Sequence, residues 1–320
     1  MKDINCPVCN SRQTNRQIKW LGGYNVHKCN DCNLIFSNPL PKETDLVDFY
    51  QGFQYRIPDK NKTNKLIENK KKELSELLGK SNIKITNILD YGGGTGVTYQ
   101  ALKEMGYNVY FHDLDQTAVD FVKQEFSLED SHIIHDVTTC AIKFDCILSD
   151  NVIEHVIDPK GFISDLHSAL TPGGMLVLKT PNASNTEVYF FLKIAASYYS
   201  LTRQNNSFFL SIKALLVDRF WNCDPPRHIW SFSKKNYSLL AQNAGVSIPN
   251  IKIGYYSASV FEYSFLTNKY LLTPGTIKGV VLRVITFPIA ILELLLKIIQ
   301  YSLRNIGLIS RQGIIMYLYR

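Results

Sequence analysis

From residue 82 to residue 182 the chain alternates short apolar runs with stretches whose apolar residues recur at helical spacing, the pattern of repeated β–α–β units. Asn87-Ile88-Leu89-Asp90-Tyr91 predicts a short buried strand, followed by Gly92-Gly93-Gly94-Thr95-Gly96 and a helix from about Val97 to Met105. Asn108 to His112, Ser131 to His135, Phe144 to Ser149 and Met175 to Lys179 predict four further strands. A helix from about Pro159 to Leu170 should stop at Thr171-Pro172-Gly173-Gly174, because proline cannot continue it and glycine supplies the turn. Ile251 to Phe265 alternates aromatic and small residues and predicts a strand pair completing the sheet. The expected fold class is α/β, with a doubly wound seven-stranded sheet.

The flanking regions read differently. Residues 41–80 make a connector ending in a charged helix, Thr63 to Lys80, with Leu66, Leu74, Leu77 and Leu78 as its apolar stripe. Residues 183–222 hold Val188-Tyr189-Phe190-Phe191-Leu192 and Phe208-Phe209-Leu210, too apolar for a plain loop; they form either a helical lid over a substrate site or a core-packing insertion. Residues 266–320 read as a basic, apolar helical tail. After Glu262 the only acidic residue is Glu293, against Lys269, Lys278, Arg283, Lys297, Arg304, Arg311 and Arg320. Charges at Arg283, Glu293 and Lys297 interrupt the apolar run too often for a span of about 20 apolar residues. Residues 278–320 fit a segment lying in a membrane surface, or a helix pair packed on the catalytic domain or a dimer partner.

Charge and cysteines narrow the picture. The net charge of +7 on 320 residues is modest, and no basic stripe marks a nucleic-acid surface, so none is expected as a partner. Met1-Lys2-Asp3 runs into the first cysteine pair without an apolar stretch, which predicts a cytoplasmic chain, or one peripheral at the inner face of a membrane. In that reducing compartment paired cysteines bind metal more often than they form disulfides. Cys6-Pro7-Val8-Cys9 and Cys29-Asn30-Asp31-Cys32 are separated by nineteen residues, the spacing of a four-thiolate zinc ribbon over residues 1–40. Four thiolates leave no open position, so this zinc is expected to be structural, with His27 a bystander.

The glycine loop carries the chemistry. It places close backbone approach beside a helix N-terminus, and Asp113, at the end of the second strand, is placed to accept from a ribose diol. Asp136 ends the third strand, where a carboxylate can take an adenine amino group. Asp90 either orients the glycine loop or touches the cofactor, and Asp145 is read as a turn residue. A dinucleotide fingerprint fails because its third glycine would fall on Val97 or Tyr99, and no Gly-Lys-Ser/Thr follows for a P-loop.

LDYGGGTG, the acidic end of the second strand, FDCILSDNVIEHV and LTPGGMLVLKTPN resemble, in order and spacing, the motifs of class I S-adenosylmethionine-dependent methyltransferases. The likeness covers residues 85–182 tightly and extends loosely to Pro225-Pro226-Arg227-His228-Ile229-Trp230-Ser231-Phe232-Ser233. With its leading cysteine module the chain is similar to a bacterial branch linked to sugar and surface-glycan methylation. The resemblance implies a Rossmann-like catalytic domain over 81–265, with Gly92, Gly94 and Gly96 lining the methionine and ribose. It implies that Asp113 holds the ribose hydroxyls, Asp136 meets the adenine and Asn151 faces the cofactor. Tyr91-Gly92-Gly93 departs from the usual small residue followed by Gly-Cys-Gly, but keeps the glycines that matter.

Methyl transfer to an alcohol requires alignment and removal of a proton. His228, after Pro225-Pro226, is the first candidate base; His155, on an apolar stretch, is the second, with a structural hydrogen-bonding role as its alternative. Tyr50 and Tyr55 are candidates for closing over the site. The expected acceptor is a sugar hydroxyl of a bacterial surface glycan or its lipid-linked precursor, with a quinone or other small molecule as the rival. A zinc-ribbon nucleic-acid-binding protein with a degenerate Rossmann domain is the alternative of another class.

Overall fold

The computed structural model describes residues 4–19, 23–42, 44–46, 60–79, 83–183, 223, 225–256 and 313–320, together with single positions between 295 and 311. Two sheets organise them. The larger has six strands: β4 (Asn87–Tyr91), β5 (Asn108–His112), β6 (Phe144–Asp150), β7 (Leu170–Pro181), β9 (Ile251–Tyr256) and β10 (Gly313–Tyr319), in the order β5-β4-β6-β7-β10-β9. The first four run parallel, and β10 lies antiparallel to both β7 and β9.

Alternate side chains of the central strands feed two separate cores, as the strand's period of two dictates. Leu89, Ile147, Leu176 and Leu178 face one side; Ile88, Cys146, Leu148, Met175 and Val177 face the other. On the second face lie α1 (Lys60–Leu78), α2 (Val97–Glu104) and α3 (Gln116–Phe126), through Leu74, Leu102 and Val122 among others. The first face is covered by α4 (Pro159–Ser168) and α5 (Lys234–Asn243), through Ile163, Leu166, Tyr237 and Leu240. Asp158 caps α4, accepting from the N–H groups of Lys160 and Gly161. Asp145 departs from the expected turn: it lies within β6, where its carboxylate accepts from the Thr86 and Asn87 N–H groups and the Thr171 hydroxyl and so ties neighbouring segments together.

The cysteine module also lies on the first face. β1 (Thr14–Lys19), β2 (Asn25–Cys29) and β3 (Ile35–Asn38) form an antiparallel meander that continues into β8 (Trp230–Ser231). Its two knuckles repeat one geometry. The Asn10 N–H donates to the Cys6 carbonyl and the Asn33 N–H to the Cys29 carbonyl, each asparagine at a positive φ that its short side chain tolerates. The Cys6 and Cys29 N–H groups donate to the Ser11 and Leu34 carbonyls.

Four further expectations change. The third strand, Ser131 to His135, shrinks to a single parallel bridge between Ile133 and Phe111, because Asp130–His132 turns as a 3-10 helix and Asp136 caps the turn after it. A regular seventh strand is therefore absent among the described residues. The helical tail is corrected at its end: Gly313–Tyr319 is an interior strand of the sheet, where an unbroken apolar run suits burial on both faces. Of the expected strand pair, Ile251–Tyr256 forms β9, but its partner is β10. In α1 the buried stripe runs through Ile67 rather than the exposed Leu66, while Leu74, Leu77 and Leu78 are buried as expected. The insertion beyond Ala183, Tyr50, Tyr55 and most of 266–312 lie outside the described residues.

The cysteine module and the catalytic core share polar contacts as well. Buried Asn236 of α5 donates to the Cys32 carbonyl (3.1 Å) and the Ser233 hydroxyl (2.8 Å), and accepts from the Ser233 N–H (2.9 Å). Asn236→Ala would leave these buried groups short of a partner at about 1–3 kcal/mol each. The denaturation midpoint should fall clearly, whereas exposed Lys234→Ala should stay within about 0.5 kcal/mol of wild type. Equal midpoints for the two variants would show that this junction does not hold the modules together.

Candidate active site

The parallel strands bring their carboxyl ends to one edge, and the loops there carry most of the predicted residues. The glycine loop is held by backbone bonds. The Gly92 and Gly93 N–H groups donate to the His112 carbonyl at 2.8 and 3.1 Å, and the Gly94 N–H to Asp113 Oδ2 at 2.8 Å. Asp113 Oδ1 accepts from the Asp115 N–H at 2.9 Å, so this carboxylate fixes the loop against the end of β5. Burial raises the Asp113 pKa. Each oxygen keeps acceptor capacity for a diol.

Gly93, the middle glycine, is as constrained as its neighbours. A Cβ there would lie 2.3 Å from Phe111 Cε2 and 2.7 Å from Asp90 Oδ2. Gly92 has φ 74°, and its Cβ would meet Val152 at 2.4 Å. The loop thus passes between β5 and the segment after β6 with no room for side chains.

Asp90 is buried beneath this loop, and its Oδ2 finds no partner among the described residues. Burial pushes its pKa up to about 7. Asp136 is exposed, its Oδ1 accepting from the Thr138 N–H and hydroxyl; those bonds lower its pKa. Asn151 sits at φ 57°, donating from Nδ2 to Asp150 Oδ1 and from its N–H to the Lys179 carbonyl.

Three features escaped the sequence reading. Leu114 follows Asp113 and is 91% exposed, an apolar surface beside the acid that anchors the glycine loop. Asp150, at the end of β6, meets Lys179 (2.7 Å) and Lys70 of α1 (3.3 Å), and both lysines also reach Glu73. Burial alone would raise the Asp150 pKa, but the two lysines outweigh it and lower it. Asp150 lies 29 positions from Lys179 and 80 from Lys70, so no local pattern announces the cluster.

The third feature is Glu154. It is 1% exposed; Oε2 accepts from the Thr180 hydroxyl at 3.0 Å, and Oε1 has no hydrogen-bond partner among the described residues. Burial pushes its pKa up to about 8. Beside it, His155 Nδ1 lies 2.8 Å from the Arg227 carbonyl, and the His155 and His228 rings stand 4.6 Å apart at 35°. The structure therefore brings both predicted histidines together. Its only advance signal in sequence is an acid adjoining His155 within an apolar run.

The Sγ atoms of Cys6, Cys9, Cys29 and Cys32 gather within 4.8 Å of one another, a donor set suited to a tetrahedral ion. This cluster is separate from the glycine loop and lies at the junction with α5.

The chain is similar in sequence to known methyltransferases. Over 122 residues, 36% of this chain and 52% of the relative, it is 30% identical to the ubiquinone biosynthesis O-methyltransferase of Coxiella burnetii (strain Dugway 5J108-111). Over 120 residues, 35% of this chain and 46% of the relative, it is 32% identical to the tRNA 5-carboxymethoxyuridine methyltransferase of Escherichia coli (strain K12). The chain spans about half the length of the curated relatives it matches. Among solved structures it is similar to a SAM dependent methyltransferase from Archaeoglobus fulgidus, at 16% identity and a TM-score of 0.45, covering 79% of this chain and 94% of that one. Residues 58–248, more than half the chain, match the family described as "Methyltransferase domain", and this chain belongs to that family.

Proposed function

We propose that this protein is an S-adenosylmethionine-dependent methyltransferase that methylates a sugar hydroxyl of a bacterial surface glycan or its lipid-linked precursor. The observation that carries the reading is the glycine loop pinned to Asp113. It is a side-chain-free cradle with a diol-binding acid on one edge and the apolar face of Leu114 beside it. These residues fit the cofactor: Gly92, Gly94 and Gly96 line its methionine and ribose, Asp113 accepts from its ribose hydroxyls, and Asp136 and Asn151 lie at its rim. Asp90 orients the loop from below. The cofactor, when bound, supplies a methyl group already activated on a sulfonium sulfur.

The chain's own task is to align the acceptor and free it of its proton. The acceptor hydroxyl binds at His228 and His155, the catalytic residues of this reading, and is deprotonated there. Its oxygen forms the new bond to the methyl carbon as the carbon–sulfur bond breaks, so the thioether and one proton leave with the methylated product. The cysteine tetrad binds a structural zinc and holds the N-terminal module folded.

A membrane-associated acceptor is supported by the described positions of the tail. Leu295, Ile298 and Ile299 are helical, fall on one face and are exposed, as are Tyr301 and Ile306. Among the described residues no helix is long and apolar enough to cross a membrane. A quinone acceptor is the second reading, favoured by the likeness to the ubiquinone biosynthesis O-methyltransferase.

S-adenosylmethionine and S-adenosylhomocysteine should both bind the purified protein in a calorimetric titration. Asp113→Ala, which removes the loop's anchor and the diol's acceptor together, should weaken binding at least about tenfold, a loss of about 1.4 kcal/mol. A folded wild-type protein that binds neither would overturn the reading. Transfer of labelled methyl should be seen to sugar nucleotides or lipid-linked glycans, and His228→Ala should lower its rate by about 10²–10⁴ while cofactor affinity holds. Transfer to a demethylated quinone precursor alone would favour the second reading, and transfer to nucleic acid alone would reject both. Vesicles rich in anionic lipid should sediment the protein at low salt and release it as salt rises; equal recovery with neutral vesicles would remove the membrane from the account.

A further inference from the structure

Glu154, His155 and His228 each bring one ligand atom within 4.8 Å of the others, on a site separate from the cysteine tetrad. We propose that these three side chains form a second metal site, which takes a divalent transition-metal cation through one carboxylate oxygen and two imidazole nitrogens.

Three observations carry it. The first is the chemistry of the acid: Glu154 is withdrawn from water, with Oε2 bonded to Thr180 and Oε1 left without a hydrogen-bond partner among the described residues. A buried carboxyl oxygen in that state is costly unless a proton or a cation meets it, and the two histidines beside it make the site one for a cation. The Arg227 guanidinium also acts on this carboxyl through its charge, but makes no hydrogen bond to Oε1.

The second is the orientation of His155. Its Nδ1 lies 2.8 Å from the Arg227 carbonyl, which can only accept, so Nδ1 carries the proton and the lone pair sits on Nε2. A carbonyl holding one ring nitrogen is the usual outer partner of a metal-binding histidine, because it fixes both tautomer and ring direction.

The third is the way the ligands are held. Glu154 and His155 follow the end of β6, and His228 reaches them from another part of the chain. The Glu154 carbonyl accepts from the Ile229 N–H at 2.9 Å and the Trp230 N–H at 3.3 Å, and the Trp230 indole N–H donates to the Val156 carbonyl at 2.7 Å. These bonds strap the segment bearing His228 to the segment bearing the other two ligands. One carboxylate and two histidines suit zinc or another first-row divalent ion and leave coordination positions open. Val152, two residues before Glu154, touches the glycine loop, so an ion here lies on the cofactor's side of the sheet.

The inference deepens the proposed function and rests on it for its role: a hydroxyl bound to the cation becomes acidic enough to give its proton to water near neutral pH, so that His155 and His228 act on the acceptor through the ion they hold rather than as the proton's acceptors. The site itself is tested without activity. Metal-free full-length protein is titrated with Co²⁺ and followed by absorption. Two equivalents should bind, one giving the intense near-ultraviolet charge-transfer bands of thiolate ligands, the other only weak visible bands. His228→Ala and Glu154→Gln should each lose the second signal and keep the first; because His228 is only partly buried, its variant remains informative if the glutamate variant misfolds. Saturation of the wild type at one thiolate-bound equivalent, or an unchanged second signal in His228→Ala, would overturn the site. Calorimetry with S-adenosylmethionine on the same samples separates the two readings. Cofactor binding without a second metal leaves the methyltransferase and removes the cation, whereas a second metal without cofactor binding does the reverse.

Discussion

The peptide groups of Ile229 join the two sheets of this protein. Its N–H donates to the Glu154 carbonyl at the carboxyl edge of the large sheet, and its carbonyl accepts from the Ser37 N–H of β3, both at 2.9 Å. Ile229 is fully buried, so neither bond can be exchanged for water without opening the core. Next to it Trp230 pairs with Phe36 in the ladder and stacks on its ring, while His228 points to the candidate site. The placement of His228 therefore depends on the cysteine module as much as on the catalytic core. A fold in which the module hung free on a linker would leave this edge of the site without its second wall.

The electrostatics of the site divide along the same edge. Around Asp150 the charges are mutually compensated: two lysines and two carboxylates share bonds between α1, β6 and β7. Asp90 and Glu154 lie deeper, and burial raises both their pKa values toward and above neutrality. Two environments for carboxyl groups so close together are a mark of functional sites, because buried acids without full compensation are otherwise costly to keep. The compensated cluster also ties α1 to the strand ends that carry the loop residues, which gives the helix a part in shaping the site beyond its apolar stripe.

The features legible in advance are those whose physics is local. Glycines at 92, 94 and 96 all take a positive φ, and that demand on the backbone shows directly in the residue order; at 92 and 96 neighbours also leave no space for a Cβ. The cysteine spacing is likewise a statement about two short loops, whereas Asp145, a strand residue bonded to Thr86, Asn87 and Thr171, has its role set by distant segments. The third strand misled because its residues have strand character, whereas the 3-10 turn on one side and the turn capped by Asp136 on the other leave room for one bridged pair.

The amino-acid order by itself determined the family, the glycine loop with its anchoring acid, and the metal-suited tetrad, since each is carried by short motifs at a recognisable spacing. Only the tertiary structure decided that Gly313–Tyr319 enters the sheet between β7 and β9. It alone decided that Lys70 reaches Asp150 across 80 positions, and that Glu154 stands behind the two histidines. A strand buried on both faces loses the alternation that would distinguish it from a helix, and its partners are chosen by long-range pairing. A buried charged group is defined by what surrounds it, and that surrounding exists only once distant segments have packed together.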